Sequence, residues 1–380
     1  MSNSRLYAIW RKQLKQLIPD NCHTRLQNLL FLVVGLYQAQ SIHLNLIARK
    51  IPLDVQKLSI VKRFRRFLAN EAVDARAWYH PWASWLIQSA GSDSQINLVI
   101  DCSKVTSHAQ LICVAVAYQR RCLPIAWDWV PHPKGHSTTA QQLALLRYVF
   151  KMIPASYQAS LVGDSEFDNT ALIGQLQDWG WDYVLRQMPR TKVMLKNEYD
   201  WRKIATLDLQ RGDEICHRRV LLTEKHALRT NLVCVWSKGE KEVWYLATNQ
   251  ASVEMAVFFY KRRMWIEEMF GDMKRHGFNL EASRLWHPDR LSRLMFIVAI
   301  VYIWLVSLGE YVIQNNLQAM VDRRDRQDLS IFRLGWDWLE RLLTLGRDIP
   351  LSFQPKFTLR PENEKLSVQR LNLQKFFGVR

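Results

Sequence analysis

Apolar residues in the first ninety positions recur at helical spacing. The run LLFLVVGLY at 29–37 and the segment SIVKRFRRFLAN at 59–70 flank a break at Ile51–Pro52, and the second segment places its apolar residues on one helix face. A helix, a break and a basic helix outline a helix-turn-helix-like DNA-binding region; a small helical bundle with a solvated basic face is the alternative. We therefore predict an all-helical, basic DNA-binding region over 1–90. Four side chains of the second segment are expected to contact phosphates: Lys62, Arg63, Arg65 and Arg66.

From residue 96 the pattern changes to short runs of β-branched and aromatic residues. INLVID (96–101), LICVAVAY (111–118) and CLPIAWDWV (122–130) predict three consecutive strands. The pattern then predicts helix, strand, helix and strand over 137–150, 160–164, 169–180 and 181–187. This order predicts an α/β fold over 91–189, a mixed sheet flanked by helices.

The alternation breaks over 190–250, where strand-like segments joined by polar turns predict a β-rich insertion. A helical pattern returns over 251–315 and contains the longest apolar run, Leu294–Leu308. Its 15 residues fall short of the roughly 18–20 that span a bilayer, so we expect a buried core helix. The remainder, 316–380, is predicted to be a helical region with an amphipathic segment at 331–345, followed by a basic tail.

The charge balance narrows the class of partner. The 380 residues contain 52 Lys and Arg against 35 Asp and Glu, which gives a net charge of +17. Such an excess fits a polyanion, of which nucleic acid is the commonest, with an anionic membrane surface as the alternative. Hydrophobic residues at 48% and charged residues at 23% exclude wholesale disorder.

The cysteines and the N-terminal segment bear on the compartment. Six scattered cysteines without a C-x-x-C pair argue against a zinc site or a disulfide framework. The N-terminal segment has no apolar core or cleavage site typical of a signal peptide. We therefore expect a cytoplasmic protein, associated with the nucleoid when it binds DNA, and no membrane partner.

Three carboxylates stand out by position. Asp101 ends the first predicted strand and Asp164 ends a later one, and an acid just outside a buried strand commonly has a function or caps a turn. Glu166 and Asp168 follow closely as weaker candidates. The third acid, Glu267, lies in a segment predicted as one helix over 258–276.

Within that helix four polar side chains are expected to form one stripe. Tyr260, Arg263, Glu267 and Lys274 stand at offsets 0, 3, 7 and 14, which fall within roughly 60° of one another at about 100° per residue. The alternative is a surface helix with an ordinary ion pair between Arg263 and Glu267. A carboxylate flanked by two cations and a phenol suits instead a site where phosphate lies against a metal ion.

These residues resemble the DDE transposases of bacterial insertion sequences, in the cut-and-paste branch with the signature Y-x2-R-x3-E-x6-K. The signature stands at Tyr260, Arg263, Glu267 and Lys274, while LVID (98–101) and LVGDSEFDN (161–169) resemble the segments around the family's two aspartates. The similarity covers roughly 95–310. It implies a ribonuclease H-like core that a β-rich insertion interrupts before the Glu helix.

The resemblance also implies a mechanism. Asp101, Asp164 and Glu267 would be the catalytic residues and would hold two Mg²⁺ or Mn²⁺ ions, which hard oxygen ligands favour over zinc. Tyr260, Arg263 and Lys274 would grip phosphates beside the cleaved strand. The enzyme would bind the terminal inverted repeats of its element, cut and transfer DNA strands, and pass through a hairpin on the element end.

Three functions remain open at this point. The first is a Mg²⁺-dependent transposase acting on double-stranded DNA at element ends and target, as a homodimer in the synaptic complex. The second is a catalytically inactive or domesticated DNA-binding relative that acts as a repressor. The third is a structure-selective nuclease on the same core. The presence of all three acids and of the Tyr-Arg-Glu-Lys set favours the first.

Overall fold

The computed structural model describes residues 2–20, 22–91, 94–131, 135–325 and 328–350. The basic tail predicted over 354–380 lies outside the described residues. The first part of the chain is helical, as expected: α1 Ser2–Leu17, α2 His23–Ala39, α3 Leu44–Ala48, α4 Lys57–Ala69 and α5 Ala75–Ala90. α2 is buried continuously from Asn28 to Tyr37, whereas α4 is amphipathic and buries its apolar face.

The predicted order of strands and helices that follows is confirmed. The elements are β1 Gln95–Lys104, β2 Ala109–Tyr118, β3 Arg121–Pro131, α6 Thr139–Met152, β4 Gln158–Gly163, α7 Thr170–Asp178 and β5 Asp182–Arg186. Local signals fix the helix ends: Thr138 and Gln141 form a capping box at the start of α6. Gly180, at φ 69°, follows α7 in the left-handed conformation that favours glycine.

These strands form a mixed sheet. β1, β2 and β3 are antiparallel neighbours, while β4 is parallel to β1 and β5 is parallel to β4. The connections between the parallel strands pass through α6 and α7, because parallel neighbours need a long crossover, which is usually a helix. Parallel pairing brings the carboxyl ends of β1, β4 and β5 to one edge of the sheet.

The β-rich insertion extends the same sheet. Its strands are β6 Lys192–Met194, β7 Arg202–Lys203, β8 Glu214–Leu222, β9 Leu228–Val235 and β10 Trp244–Thr248. β10 pairs antiparallel with β5, so the ten strands run in the order β3-β2-β1-β4-β5-β10-β9-β8-β6-β7. The insertion therefore begins after β5, and its last strand, β10, lies beside β5 in the same sheet. The segment that carries Glu267 follows β10 directly.

The Glu-bearing segment is not the single helix predicted over 258–276. It consists of α8 Val253–Tyr260, a 3₁₀ turn Lys261–Arg263 and α9 Met264–Met273. The 3₁₀ turn winds the chain more tightly between Tyr260 and Met264, and α9 ends before Lys274. The four-residue stripe predicted from uniform helical spacing is thereby interrupted before Lys274, whereas Tyr260 still stands near Arg263.

The long apolar run forms α10 Pro288–Gln314, which packs against α11 Ile331–Thr344. α10 is long and apolar enough to cross a membrane, but 94% of its most apolar window is buried inside the protein, as expected for a core helix. α10 and α11 approach closely at two glycines: a Cβ on Gly335 would lie 1.8 Å from the carbonyl oxygen of Leu305, and one on Gly309 would lie 1.7 Å from that of Ile331.

Candidate active site

Asp101 and Asp164 lie at equivalent positions on two neighbouring parallel strands. Asp164 directly follows β4, whereas Asp101 lies inside β1, which continues to Lys104 beyond the end predicted at Asp101. β1 and β4 pair with Ile100 opposite Gly163, so the next residue along each strand is an aspartate. Strands in a sheet are about 4.8 Å apart, which places the two backbones side by side. One oxygen of Asp164 accepts a hydrogen bond of 2.9 Å from the backbone N–H of Glu166 in the turn that follows β4.

This pair of acids is poorly hydrated. Asp101 is 6% exposed, and burial together with the charge of Asp164 raises the pKa of Asp101 to about 8, although Arg263 and the N–H of Cys102 act in the opposite direction. Burial also raises the pKa of Asp164. Two adjacent acids in such surroundings make a place where a cation is stabilised.

Arg263 joins the third acid to this pair. Its guanidinium lies 3.4 Å from a carboxylate oxygen of Asp101 and 2.5 Å from one of Glu267, and the side chain is 16% exposed. The ion pair between Arg263 and Glu267 expected of an ordinary surface helix is therefore present, but here the same guanidinium also reaches Asp101 inside β1. This guanidinium links Asp101 and Glu267, and its charge also lowers the pKa of Asp164 against the effect of burial.

Two buried contacts hold the Glu segment on the sheet. Arg262 donates a hydrogen bond of 3.0 Å to Asn97 in β1. At the other end of α9, Asp272 accepts a bond of 2.6 Å from Arg121 at the start of β3. Both Arg262 and Asp272 are buried, so these contacts fix where Glu267 stands relative to Asp101.

The other two residues of the signature lie in different environments. Tyr260 is buried, and its ring lies 5.0 Å from that of Trp244. Burial raises the pKa of this phenol. Lys274 follows the end of α9 and pairs with Glu281 at 3.0 Å. Tyr260 thus stands beside Arg263, whereas Lys274 contacts the segment that leads away from the helix.

Sequence reasoning missed Arg186. It ends β5, directly after Leu185, which pairs with Gly163 of β4. Asp101, Asp164 and Arg186 therefore occupy equivalent positions on three adjacent strands. Arg186 lowers the pKa of Asp164 against the effect of burial, and Glu242 holds its guanidinium at 2.7 Å. The only available signal was that a charged residue ends a short buried strand.

Glu166 has a structural position next to the acids. One of its oxygens accepts bonds from the N–H and hydroxyl of Ser137 at 2.7 and 2.6 Å, and from the thiol of Cys102 at 3.1 Å. Glu166 thereby connects the end of β1 to the loop before α6. These three donors occupy Oε1, while Oε2 of Glu166 lies 3.7 Å from Nδ1 of His136.

The basic residues of α4 divide into two groups. Lys62, Arg65 and Arg66 are exposed on the polar face. Arg63 instead bonds to Asn28 of α2 and lies 5.4 Å from the ring centroid of Phe31. Three of the four predicted contacts are therefore open to a ligand, and Arg63 packs against the neighbouring helix.

The donor set fits a hard divalent cation in part. All three acids offer oxygen, which Mg²⁺ and Mn²⁺ prefer, and the buried Asp101–Asp164 pair has an excess of negative charge. Among the described residues, however, no three His, Cys, Asp or Glu side chains are placed to hold one ion together. Arg263 explains this, since it lies between Asp101 and Glu267.

The sequence of this chain matches the family model of the transposase DDE domain over residues 104–304. The match covers more than half of the chain. The chain belongs to the transposase DDE domain family. The matched range contains Asp164 and Glu267 and begins three residues after Asp101. Chemistry of the nuclease and strand-transfer type on DNA, generally with divalent metal ions, follows from membership of this family.

The other comparisons add little. A comparison with curated proteins finds no match. A piggyBac transposase in a synaptic complex with hairpin DNA is similar at 10% identity and a TM-score of 0.40, over 96% of this chain and 81% of that one. Marinitoga piezophila Argonaute with guide RNA and target DNA is similar at 12% identity and a TM-score of 0.22, over 66% and 37%. Likenesses this weak carry no argument about function.

Proposed function

We propose that this DDE transposase binds the terminal inverted repeats of an insertion sequence and moves the element by cut-and-paste, through a hairpin on the element end. The observation that carries the proposal is that Arg263 pairs with both Asp101 and Glu267, and that Asp101 lies next to Asp164. Asp101 and Asp164 stand side by side on neighbouring parallel strands, and Arg263 links Glu267 to Asp101. Acids gathered in this way are the oxygen ligands that two-metal phosphodiester cleavage uses.

The proposed metal site uses Asp101 and Asp164 first. Two Mg²⁺ or Mn²⁺ ions, when bound, would activate the attacking oxygen and neutralise charge on the scissile phosphate. Asp101 is buried next to Asp164 and 3.4 Å from Arg263, and it would be one of the residues that hold the metal. Glu267 would complete the ligand set once Arg263 leaves the carboxylates for a phosphate, which a bidentate guanidinium binds well.

The proposed chemistry has two steps, a hydrolysis and a transesterification, and each breaks one phosphodiester bond. In the first, the oxygen of water attacks phosphorus at the element end, the bond to the 3′-oxygen breaks, and that oxygen takes a proton to become a free 3′-hydroxyl. In the second, this hydroxyl loses its proton and attacks the opposite strand. One phosphodiester bond forms as the hairpin closes, another breaks, and the 3′-oxygen of the flanking DNA leaves protonated.

Side chains around the acids are proposed to hold the phosphates. Arg263 would bind the scissile phosphate, with Tyr260 beside it and Lys274 further along the strand. The exposed residues of α4 would contact the duplex backbone at the element end. A homodimer would pair two ends, and the protein would act in the cytoplasm, at the nucleoid when DNA-bound.

The test is cleavage of a labelled duplex that carries the inverted repeats flanking the gene, with Mg²⁺ or Mn²⁺. We expect Glu267→Gln to abolish cutting while it retards the same DNA on a gel. Glu268→Gln is the matched control: it changes the neighbouring acid, which faces Arg121 at 3.4 Å, and should cut normally. A hairpin would migrate as a strand of doubled length on a denaturing gel.

Each contrary result has a defined meaning. Retardation without cutting by the parent protein would support the repressor function instead. Cutting without the doubled strand would exclude the hairpin, and cutting that ignores the repeats would indicate a nuclease. Equal cutting by Glu267→Gln and the parent would remove Glu267 from the site.

A further inference from the structure

A cleft of about 510 Å³ opens between the N-terminal helices and the segment that connects α9 to α10, together with the first turns of α10. We call it the basic cleft. Arg65 of α4 lines one wall, and Arg284 and Arg290 line the other. Among the described residues that line it, none is acidic. Three guanidinium groups around one opening repel each other unless an anion lies between them.

These arginines are not engaged elsewhere. Within the described part of the chain, none of Arg65, Arg284 and Arg290 forms an ion pair, although many other arginines do. Arg65 and Arg284 are exposed and Arg290 is half-buried. Their donors are therefore available to a ligand that enters the cleft.

The segment that carries Arg284 is fastened to the catalytic core. A ring nitrogen of His108, in the turn between β1 and β2, lies 3.0 Å from the carbonyl oxygen of Leu285. The rings of His108 and Trp286 stack at 3.9 Å with 2° between their planes. This wall of the cleft is thus held on the turn that follows the strand of Asp101, and its arginines have a defined position.

We propose that the basic cleft holds the phosphate backbone of duplex DNA, so that the N-terminal helices and the segment after the Glu helix grip the same DNA. This inference rests on the proposed function. The same segment carries Glu281, which pairs with Lys274. The residues on this wall of the cleft therefore follow closely after the Glu helix in the sequence. DNA bound in it is held at a fixed distance from Glu267, and recognition by α4 then determines where the strand is cut.

The test compares two double variants on duplex DNA across a range of KCl concentrations. Arg284→Ala/Arg290→Ala should lower the slope of log affinity against log salt by about two, because each phosphate contact contributes about 0.9. The reduction should be equal on the flanking-repeat duplex and on a random 40-bp duplex, since phosphates carry no sequence information. Adding Arg65→Ala should remove about one more unit of slope.

The matched control is Arg147→Ala/Lys151→Ala. It removes two exposed cations one turn apart on α6, away from the cleft lining, and should leave the slope unchanged. The inference would be overturned if the cleft variant kept the salt slope of the parent, or if the control lost as much slope as the cleft variant. Binding of inorganic phosphate alone in the cleft, without DNA, would overturn it too. Cutting by the parent protein is scored separately. If the parent cuts and the cleft variant keeps its slope, only the basic cleft is wrong; if the slope falls and the parent never cuts, only the proposed chemistry is wrong.

Discussion

Arg262 and Asn97 connect the three elements that carry the acids. The side-chain oxygen of Asn97 accepts a hydrogen bond of 3.0 Å from Arg262 and another of 2.9 Å from Ser160 in β4. Asn97 itself lies in β1. One amide oxygen thereby links the strand of Asp101, the strand that precedes Asp164 and the segment that carries Glu267.

Replacing Asn97 by Ala should therefore slow cleavage more than it weakens DNA binding. Without the shared acceptor, the Glu segment can shift relative to β1, and misplacement of about 1 Å costs about a hundredfold in rate. We expect a tenfold to hundredfold loss in single-turnover cleavage at saturating DNA, with affinity within about twofold of the parent. Asn231→Ala, in the extended sheet, is the control. Parallel losses of rate and affinity would argue against a positioning role.

Arg186 offers a second prediction, because it stands next to Asp164 across the β4–β5 pairing. We expect it to donate to the scissile phosphate, so Arg186→Ala should lower the cleavage rate by about a hundredfold, the usual cost of one lost transition-state donor. Arg186→Lys should retain part of the cleavage rate that Arg186→Ala loses. Glu242→Gln, which releases the guanidinium, should cut at least as well as the parent.

A neutral substrate separates this role from a structural one. A methylphosphonate at the scissile position removes the charge that Arg186 would bind. It should therefore slow the parent by a larger factor than it slows Arg186→Ala. Equal factors in both proteins would show that Arg186 does not face that phosphate.

The sequence predicted the strands themselves better than the contacts between them, although β1 continues to Lys104, past the end predicted at Asp101. Asp101 and Asp164 follow apolar runs, and such runs mark buried strands whatever surrounds them. Arg186 became meaningful only through its register with β4, a relation between residues distant in the chain. The pairing of β10 with β5 is of the same kind, so the insertion could be predicted as β-rich but not as part of the core sheet.

The Glu segment shows why uniform helical spacing failed. Residues 258–276 contain no proline, and their single glycine, Gly271, lies inside α9, so no local signal marks the end at Met273. The end is set by packing: a Cβ on Gly277 would lie 2.4 Å from the carbonyl oxygen of Asp272 and 2.8 Å from the ring of Phe332 in α11. Lys274 therefore turns toward Glu281 and leaves the predicted stripe.

The buried pair of Asp272 and Arg121 predicts a pH dependence of stability. Burial raises the pKa of Asp272 to about 6, with Arg121 acting in the opposite direction. Because the folded protein holds this proton more tightly than the unfolded chain, the contribution of Asp272 to the free energy of unfolding is greatest below about pH 4 and is lost as the pH rises through 6.

Urea unfolding of the parent and of Asp272→Asn between pH 3.5 and 7, roughly the span from the unfolded to the folded pKa, measures this contribution. Asn does not titrate, and the other acids cancel in the difference between the two proteins. The parent's advantage over the variant should fall by at most about 3 kcal/mol between pH 4 and 6 and then stay flat. A difference that grows with pH would show that Arg121 outweighs burial.

The N-terminal helices share one core with the catalytic part. Trp10 of α1 is fully buried, with its ring 5.1 Å from that of Trp304 in α10 and 6.4 Å from that of Trp82 in α5. Deleting the first helices would uncover α10, so the DNA-binding region is better tested by surface substitutions than by truncation.

Trp10→Ala should consequently destabilise the whole protein and not the N-terminal region alone. Loss of a buried tryptophan costs about 3–5 kcal/mol, and a shared core transmits that cost to the sheet. Far-ultraviolet circular dichroism should show a lower unfolding temperature for the variant. Hydrogen exchange should show that β1 and β4 lose protection together with the N-terminal helices. Exchange that stays slow in those strands while α1 and α2 unfold would show instead that the helical region folds by itself, and deletion would then become the direct test of DNA binding.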